Sequence, residues 1–207
     1  MKHTYVLCML LVAASMPACF WSNTPSGGGS TNDPAQKKED QPVADTAKKV
    51  FVTRALFTGK LGGLAGADAK CATAAAAAGL PGTFLAYLST DTVAAATRVT
   101  GAGPWSNAKG KLIFDGGASR WAGFPKAGLE IDETGGQVYG YEDGGSGTYW
   151  TGSDAQGVSG PDHCKAWTEE QNSYGVVGTK STTGAAWVNS GRIDCSRKQS
   201  LICFQND

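Results

Sequence analysis

From residue 66 to residue 90 the chain reads GADAKCATAAAAAGLPGTFLAYLST, a run of small apolar residues, a break, then a run of large ones. Ala72 and the alanines at 74–78 are the strongest helix formers available, so this stretch predicts a helix. Asp68 is expected in its first turn, where a carboxylate meets the positive helix end. Gly79 is expected as the left-handed cap, and Pro81 prevents continuation. Phe84, Leu85, Ala86, Tyr87 and Leu88 have the length and polarity of a buried strand. Val50-Phe51-Val52 predicts a first strand, Leu112-Ile113-Phe114 another that ends in an Asp115-Gly116 turn, and residues 137–141 a third before the glycines at 144–147. Residues 91–99 suit a short second helix capped by Thr90 or Asp91. Leu201-Ile202-Cys203-Phe204 closes the pattern as a strand.

Ahead of this patterned region the chain has a different character. Lys2 precedes an apolar run at 5–14, too short for a stable bilayer anchor, and together they predict a secretory signal over residues 1–18. The signal ends in Met16-Pro17-Ala18-Cys19, which resembles a bacterial lipobox and marks Cys19 for lipidation. Residues 19–49 contain Pro25-Ser26-Gly27-Gly28-Gly29-Ser30 and Lys37-Lys38-Glu39-Asp40. These read as a flexible, solvated tether that spans on the order of 30 Å. Residues 50–207 are expected to form one domain.

Charge and cysteine content narrow the classes. Eighteen basic residues balance eighteen acidic ones, and no dense Lys/Arg run marks a nucleic-acid surface. Cys8 leaves with the signal and Cys19 takes lipid, which leaves Cys71, Cys164, Cys195 and Cys203. Four cysteines in an exported protein imply two disulfides, with three pairings open.

Several landmarks resemble a known family. Gly66-Ala67-Asp68, Cys71, Ala78-Gly79-Leu80, Gly82-Thr83-Phe84 and Ala86-Tyr87-Leu88-Ser89 are similar to the start of the endostatin module of collagens, a compact C-type-lectin-like fold. Trp150, Gly152, Ser153 and Asp154 resemble its next segment, and Cys164 with Trp167 the following one. Seven residues separate Cys195 and Cys203, the spacing usual in lectin-like domains. The resemblance implies an α+β domain with twisted antiparallel sheets, one or two helices and nested disulfides, Cys71–Cys203 and Cys164–Cys195. It also makes Trp150 and Trp187 core residues.

The chemistry available is sparse. His163 is the one histidine outside the signal, which leaves a zinc centre short of ligands; a Ser-His-Asp triad would have to use it, but it stands beside a structural cysteine and no Gly-x-Ser-x-Gly elbow is present. The endostatin zinc histidines have no counterpart near Val50, and the five domain arginines are scattered rather than clustered for heparin. Trp187-Val188-Asn189 and Pro161-Asp162 only approximate the calcium motifs of lectins, although Asp154, Asp162, Asn189 and Asp194 offer oxygen ligands to a weak calcium site. No other cofactor is expected. Trp105, Trp121 and Tyr141, in the glycine-rich stretch 101–147, are candidate platforms for a ligand face, and binding is expected to fall to the loops at 101–147 and 153–163. The expectation is a non-catalytic, calcium-independent binding or adhesion module on a bacterial envelope lipoprotein, sorted to the outer membrane. Its ligand would be a glycan or a protein; the alternative is a structural envelope module without sugar binding, and a third reading, an enzyme on a lectin-like fold, is poorly supported by the residues available. Cys19→Ala is expected to move the protein from the membrane fraction to the soluble one on cell fractionation; unchanged membrane association refutes the lipid anchor.

Overall fold

The computed structural model describes residues 46–117, 121–138, 147–154 and 156–207. In chain order the elements are β1 (Lys48–Val52), α1 (Gly63–Ala77), β2 (Phe84–Ala86), α2 (Ala95–Arg98), β3 (Trp105–Ser106), β4 (Leu112–Phe114) and β5 (Thr148–Trp150). A single left-handed turn (Cys164–Trp167), β6 (Tyr174–Thr179), a 3-10 turn (Ala185–Trp187), β7 (Gly191–Asp194) and β8 (Ser200–Gln205) complete it. The class is α+β and mostly sheet. None of the helices among the described residues is long and apolar enough to cross a membrane.

The strands form one eight-stranded sheet in the order β4-β3-β1-β8-β5-β6-β7, with β2 also paired to β8. The expected antiparallel pairing is corrected in two places, since β1 runs parallel to β3 and β5 runs parallel to β8. Each of these pairs is joined by a long excursion that returns the chain in its original direction, as parallel neighbours require. Near the middle lies β8, flanked by β1 and β5.

Both faces of the central strands β1 and β8 are buried, which explains why Val50-Phe51-Val52 and Leu201-Ile202-Cys203-Phe204 read as unbroken apolar runs rather than alternating ones. Val50, Val52, Tyr149, Ile202 and Phe204 face one cluster with Tyr87, Trp105, Phe114 and Trp187. Phe51, Trp150, Leu201 and Cys203 face the other, where α1 contributes Ala67, Cys71 and Ala75. The small alanine face lets the helix lie close to β2 and β8, and Cys71 bonds Cys203 at a Cα–Cα separation of 5.5 Å. Cys164 bonds Cys195 across 5.7 Å. The nested pairing is therefore the one formed, and on the chain-entropy model the outer loop contributes about 5 kcal/mol and the inner about 4, not additively.

Local expectations meet the structure unevenly. Strand β4 coincides with residues 112–114, and β1 starts at Lys48. The strand expected over 84–88 stops at Ala86; the Tyr87 amide still donates to Ile202 O, but the Ser89 amide has already crossed to Thr151 O. The strand expected over 137–141 is a single bridge between Gln137 and Ile131, and residues 139–141 lie outside those described. Helix α2 starts at Ala95 without a side-chain cap, because Thr90 Oγ1 accepts from Val93 N (3.2 Å) in a turn ahead of it.

The left-handed turn is the least expected element. Cys164, Lys165, Ala166 and Trp167 have φ of 50°, 48°, 54° and 66°, a conformation that costs about 1–2 kcal/mol per L-residue. Its surroundings hold it in place. Trp167 Nε1 donates to Ser89 O (2.8 Å), His163 Nδ1 accepts from Ala166 N (2.7 Å), and the Cys164–Cys195 bond fixes its first residue. In return, Trp167 O accepts from the Leu61 and Gly62 amides at the entrance to α1.

Because α1 begins at Gly63, Asp68 lies in its second turn rather than its first. Its role is different from the expected one. Asp68 Oδ1 accepts from Ala86 N (2.9 Å), Oδ2 pairs with Arg98, and Arg98 Nη1 donates to Ala86 O (2.7 Å). The pair thus brackets the backbone of one residue of β2, binding both the N–H and the C=O of Ala86, with both side chains largely shielded from water. Asp68→Ala is expected to cost about 2–3 kcal/mol by leaving a shielded arginine and a strand amide unsatisfied, whereas Asp68→Asn retains an acceptor for Ala86 N and costs less. Urea denaturation at pH 7 measures both, and equal small losses would contradict this role.

Candidate functional site

The period-two geometry of β2 continues through the residue after it. Ala86 and Leu88 face the helix side, whereas Tyr87 turns to the opposite cluster. There its ring meets Trp121 and Trp187, each at a centroid distance of 5.2 Å, and Phe204 at 5.5 Å. Trp121 stacks on Trp105 at 5.5 Å and lies nearly parallel to Trp187 at 6.4 Å. Its Nε1 donates to Ala96 O (3.0 Å), so the indole is held in one orientation.

A cleft of about 300 Å³ opens above this group, lined by Tyr87, Trp121, Ala122, Gly123, Phe124, Gln156, Gly157 and Trp187. One wall is the 121–124 segment. The other is a turn at 154–158 organised by Asp154, whose Oδ1 accepts from Gln156 N and Val158 N, both at 2.9 Å. Among the lining residues, Phe124 is 55% exposed and the polar Gln156 is exposed as well.

No charged side chain lines the cleft among the described residues. Its polar side chains are Gln156 and the Tyr87 phenol. Tyr87 is 1% exposed and its hydroxyl has no hydrogen-bond partner among the described residues. Burial, with the nearby Asp154 charge adding to it, pushes the phenol well above its ordinary range, so it remains protonated. Gly157 lies against this hydroxyl with φ +74°, and a Cβ there would sit 2.3 Å from the oxygen. Only glycine fits so close an approach in that conformation.

The residues singled out from the sequence fare differently. Trp105 is a correction: it is fully buried, with Nε1 donating to Gln205 O (2.9 Å), because β3 pairs with β1 and places it beneath Trp121. Trp121 is half-buried and lines the cleft. Tyr141 and Cys19 lie outside the described residues. Asp154 organises the cleft wall, Asp162 pairs with Arg192 at 3.3 Å, and Asn189 is exposed after the 3-10 turn. No three His, Cys, Asp or Glu side chains converge among the described residues. Trp150 and Trp187 are core residues, as the resemblance implies.

Tyr87 was not singled out by sequence reasoning, whereas Phe124, Gln156 and Gly157 fall in the two loops, 101–147 and 153–163, expected to carry binding. The signal for Tyr87 was present, because a run with two buried faces must send alternate side chains to opposite clusters.

Lys180, directly after β6, is the other unusual group. It is buried, and desolvation pushes its ammonium down to about 8, with the Glu130 charge working the other way. A depressed lysine is what amine nucleophiles use, but Lys180 is not among the residues lining the cleft.

No protein-family model matches the chain, and no curated protein matches it.

The lysine makes a pH prediction. Its folded value lies below the ordinary 10.5, so the unfolded chain binds more protons between pH about 8 and 10.5, and stability rises with pH through that window. Guanidinium denaturation from pH 7.5 to 10 is expected to show this rise, and Lys180→Met to remove it. A rise that survives in the variant assigns it to another group.

Proposed function

We propose that the domain is a non-catalytic binding or adhesion module with a C-type-lectin-like, endostatin-like fold. It is displayed on a lipid-anchored tether at a bacterial envelope and engages a glycan or protein without calcium. The observation that carries this reading is the aromatic cleft at the meeting of the 121–124 and 154–158 loops. A concave, aromatic-lined site with polar groups set among the rings is the usual form of a ligand pocket. Its described lining holds no nucleophile–base pair, and a phenol raised by burial is a poor base at neutral pH. Asp154 and Asp162 are engaged by the 154–158 amides and by Arg192 respectively, which favours a structural role for both over cation binding.

The second reading is a structural envelope module that works through protein contacts alone. The exposed Phe124 in the lining favours it, since aromatic side chains are enriched in protein interfaces.

Calorimetry with calcium, and a screen of glycans and envelope proteins with and without chelator, separates these. The expected result is binding unchanged by chelator and reduced at least tenfold by Phe124→Ala. A calcium-dependent sugar hit overturns the reading, and hits confined to proteins promote the second one.

A further inference from the structure

Four consecutive left-handed residues without a glycine need support from outside the turn, and part of that support is a titratable group. His163 Nδ1 accepts from Ala166 N at 2.7 Å. An imidazole accepts only through an unprotonated nitrogen, so the ring that makes this bond is neutral, with its proton on Nε2. A second proton puts an N–H on Nδ1, directly against the Ala166 N–H, and two donors then face each other. The backbone at 163 has little room to yield. It bridges Gly175 of β6, and a Cβ at Gly152 would sit 3.2 Å from His163 Cβ. Relief comes from the ring swinging out or from the turn uncoiling, and in both cases Ala166 N loses its cap. The ring is half-buried, so protons from solvent reach it.

Much depends on this turn. Trp167 ends it, and its carbonyl accepts from the Leu61 and Gly62 amides at 2.9 and 3.1 Å. Its indole donates to Ser89 O, and a Cβ at Gly152 would sit 2.7 Å from its ring. One side-chain bond thus steadies a junction between the entrance to α1, the exit from β2 and the segment after β5. The other charged and titratable groups on the elements around the ring have their own places. Asp162 pairs with Arg192 of β7, and Tyr174 of β6 lies 4.8 Å from the Arg192 guanidinium. Asp154, after β5, accepts from the Gln156 and Val158 amides. Glu170 accepts from Thr58 Oγ1, and Lys165 and Glu169 are exposed. Free imidazole titrates near pH ~6.5 and free carboxylates near ~4, so the range between pH about 7.5 and 5.5 addresses the histidine.

We propose that His163 is a pH-sensitive latch on the left-handed turn. In mildly acidic surroundings its protonation releases Ala166 N and loosens Cys164–Trp167 together with the entrance to α1. The Cys164–Cys195 and Cys71–Cys203 bonds hold the rest of the domain together meanwhile. The device belongs to the fold and is independent of the ligand the domain takes.

The test uses the full chain, labelled with nitrogen-15, at pH 7.5 and 5.5. The ring nitrogen resonances of His163 report which nitrogen carries the proton, and amide hydrogen exchange, corrected for its intrinsic pH dependence, gives protection factors. Expected are a neutral ring protonated on Nε2 at pH 7.5, and protection of Leu61, Gly62 and Ala166 that falls at least threefold at pH 5.5. The Trp167 indole resonance is expected to move in step with the His163 ring. His163→Asn supplies a capping oxygen that does not titrate and is expected to keep protection equal at both pH values. His163→Ala is expected to lower it at both. A proton on Nδ1 at pH 7.5, or wild-type protection unchanged at pH 5.5, overturns the latch, and these readings decide alone should a variant fail to fold. The same pH-dependent loss in His163→Asn also overturns it, by assigning the effect to another group.

Discussion

The bond between Cys71 and Cys203 joins the longest helix among the described residues to the strand from which the sheet is built outward. Three strands pair with β8: β1 and β2 antiparallel, β5 parallel. Its side chains alternate between two buried clusters, Ile202 and Phe204 on one side, Leu201 and Cys203 on the other. Everything at the candidate site inherits its position from this strand. Tyr87 and Trp121 both touch Phe204, and Trp105 hydrogen-bonds the backbone at Gln205. The aromatic floor is thus a side of the sheet core that continues to the surface rather than a feature added to a loop.

Strong local chemistry was legible in the sequence. Helix-forming alanines, a glycine stop and β-rich runs at 50–52, 112–114 and 201–204 translated into α1, β1, β4 and β8. The disulfide pairing came from the likeness to a known family, and geometry agrees with it. Long-range contacts were not legible. Trp105 lies in a glycine-rich stretch that looks loop-like locally, and only pairing with β1 and contact with residues a hundred positions later bury it. Tyr87 was hidden for the reverse reason, inside a run read as uniformly buried although its two faces enter different clusters. The left-handed turn has no glycine to announce it; distant partners impose it on ordinary residues.

The cleft and the Asp68–Arg98 bracket show how few polar groups the interior tolerates and how each is used. Ser89 and Ser153 hydroxyls pair at 2.7 Å, and Ser89 Oγ also accepts from Ala95 N, tying the exit of β2 to the segment after β5 and to α2. The Tyr87 phenol departs from that economy in having no partner among the described residues, as do the Ser173 and Ser200 hydroxyls. Of the three, Tyr87 is the one whose residue lines the cleft, with its hydroxyl against Gly157.

The place of β8 at residues 200–205 has a consequence for the order in which the molecule can assemble. A chain released from its N-terminal end, during synthesis or while threading through a pore, presents β1, α1, β2 and β5 before the strand that must lie among them. Those segments have no complete sheet to join until residue 205 emerges. Cys71 likewise waits 132 residues for its partner. The earlier segments therefore lack the strand that joins them, and Cys71 its disulfide partner, until residues 200–205 have emerged.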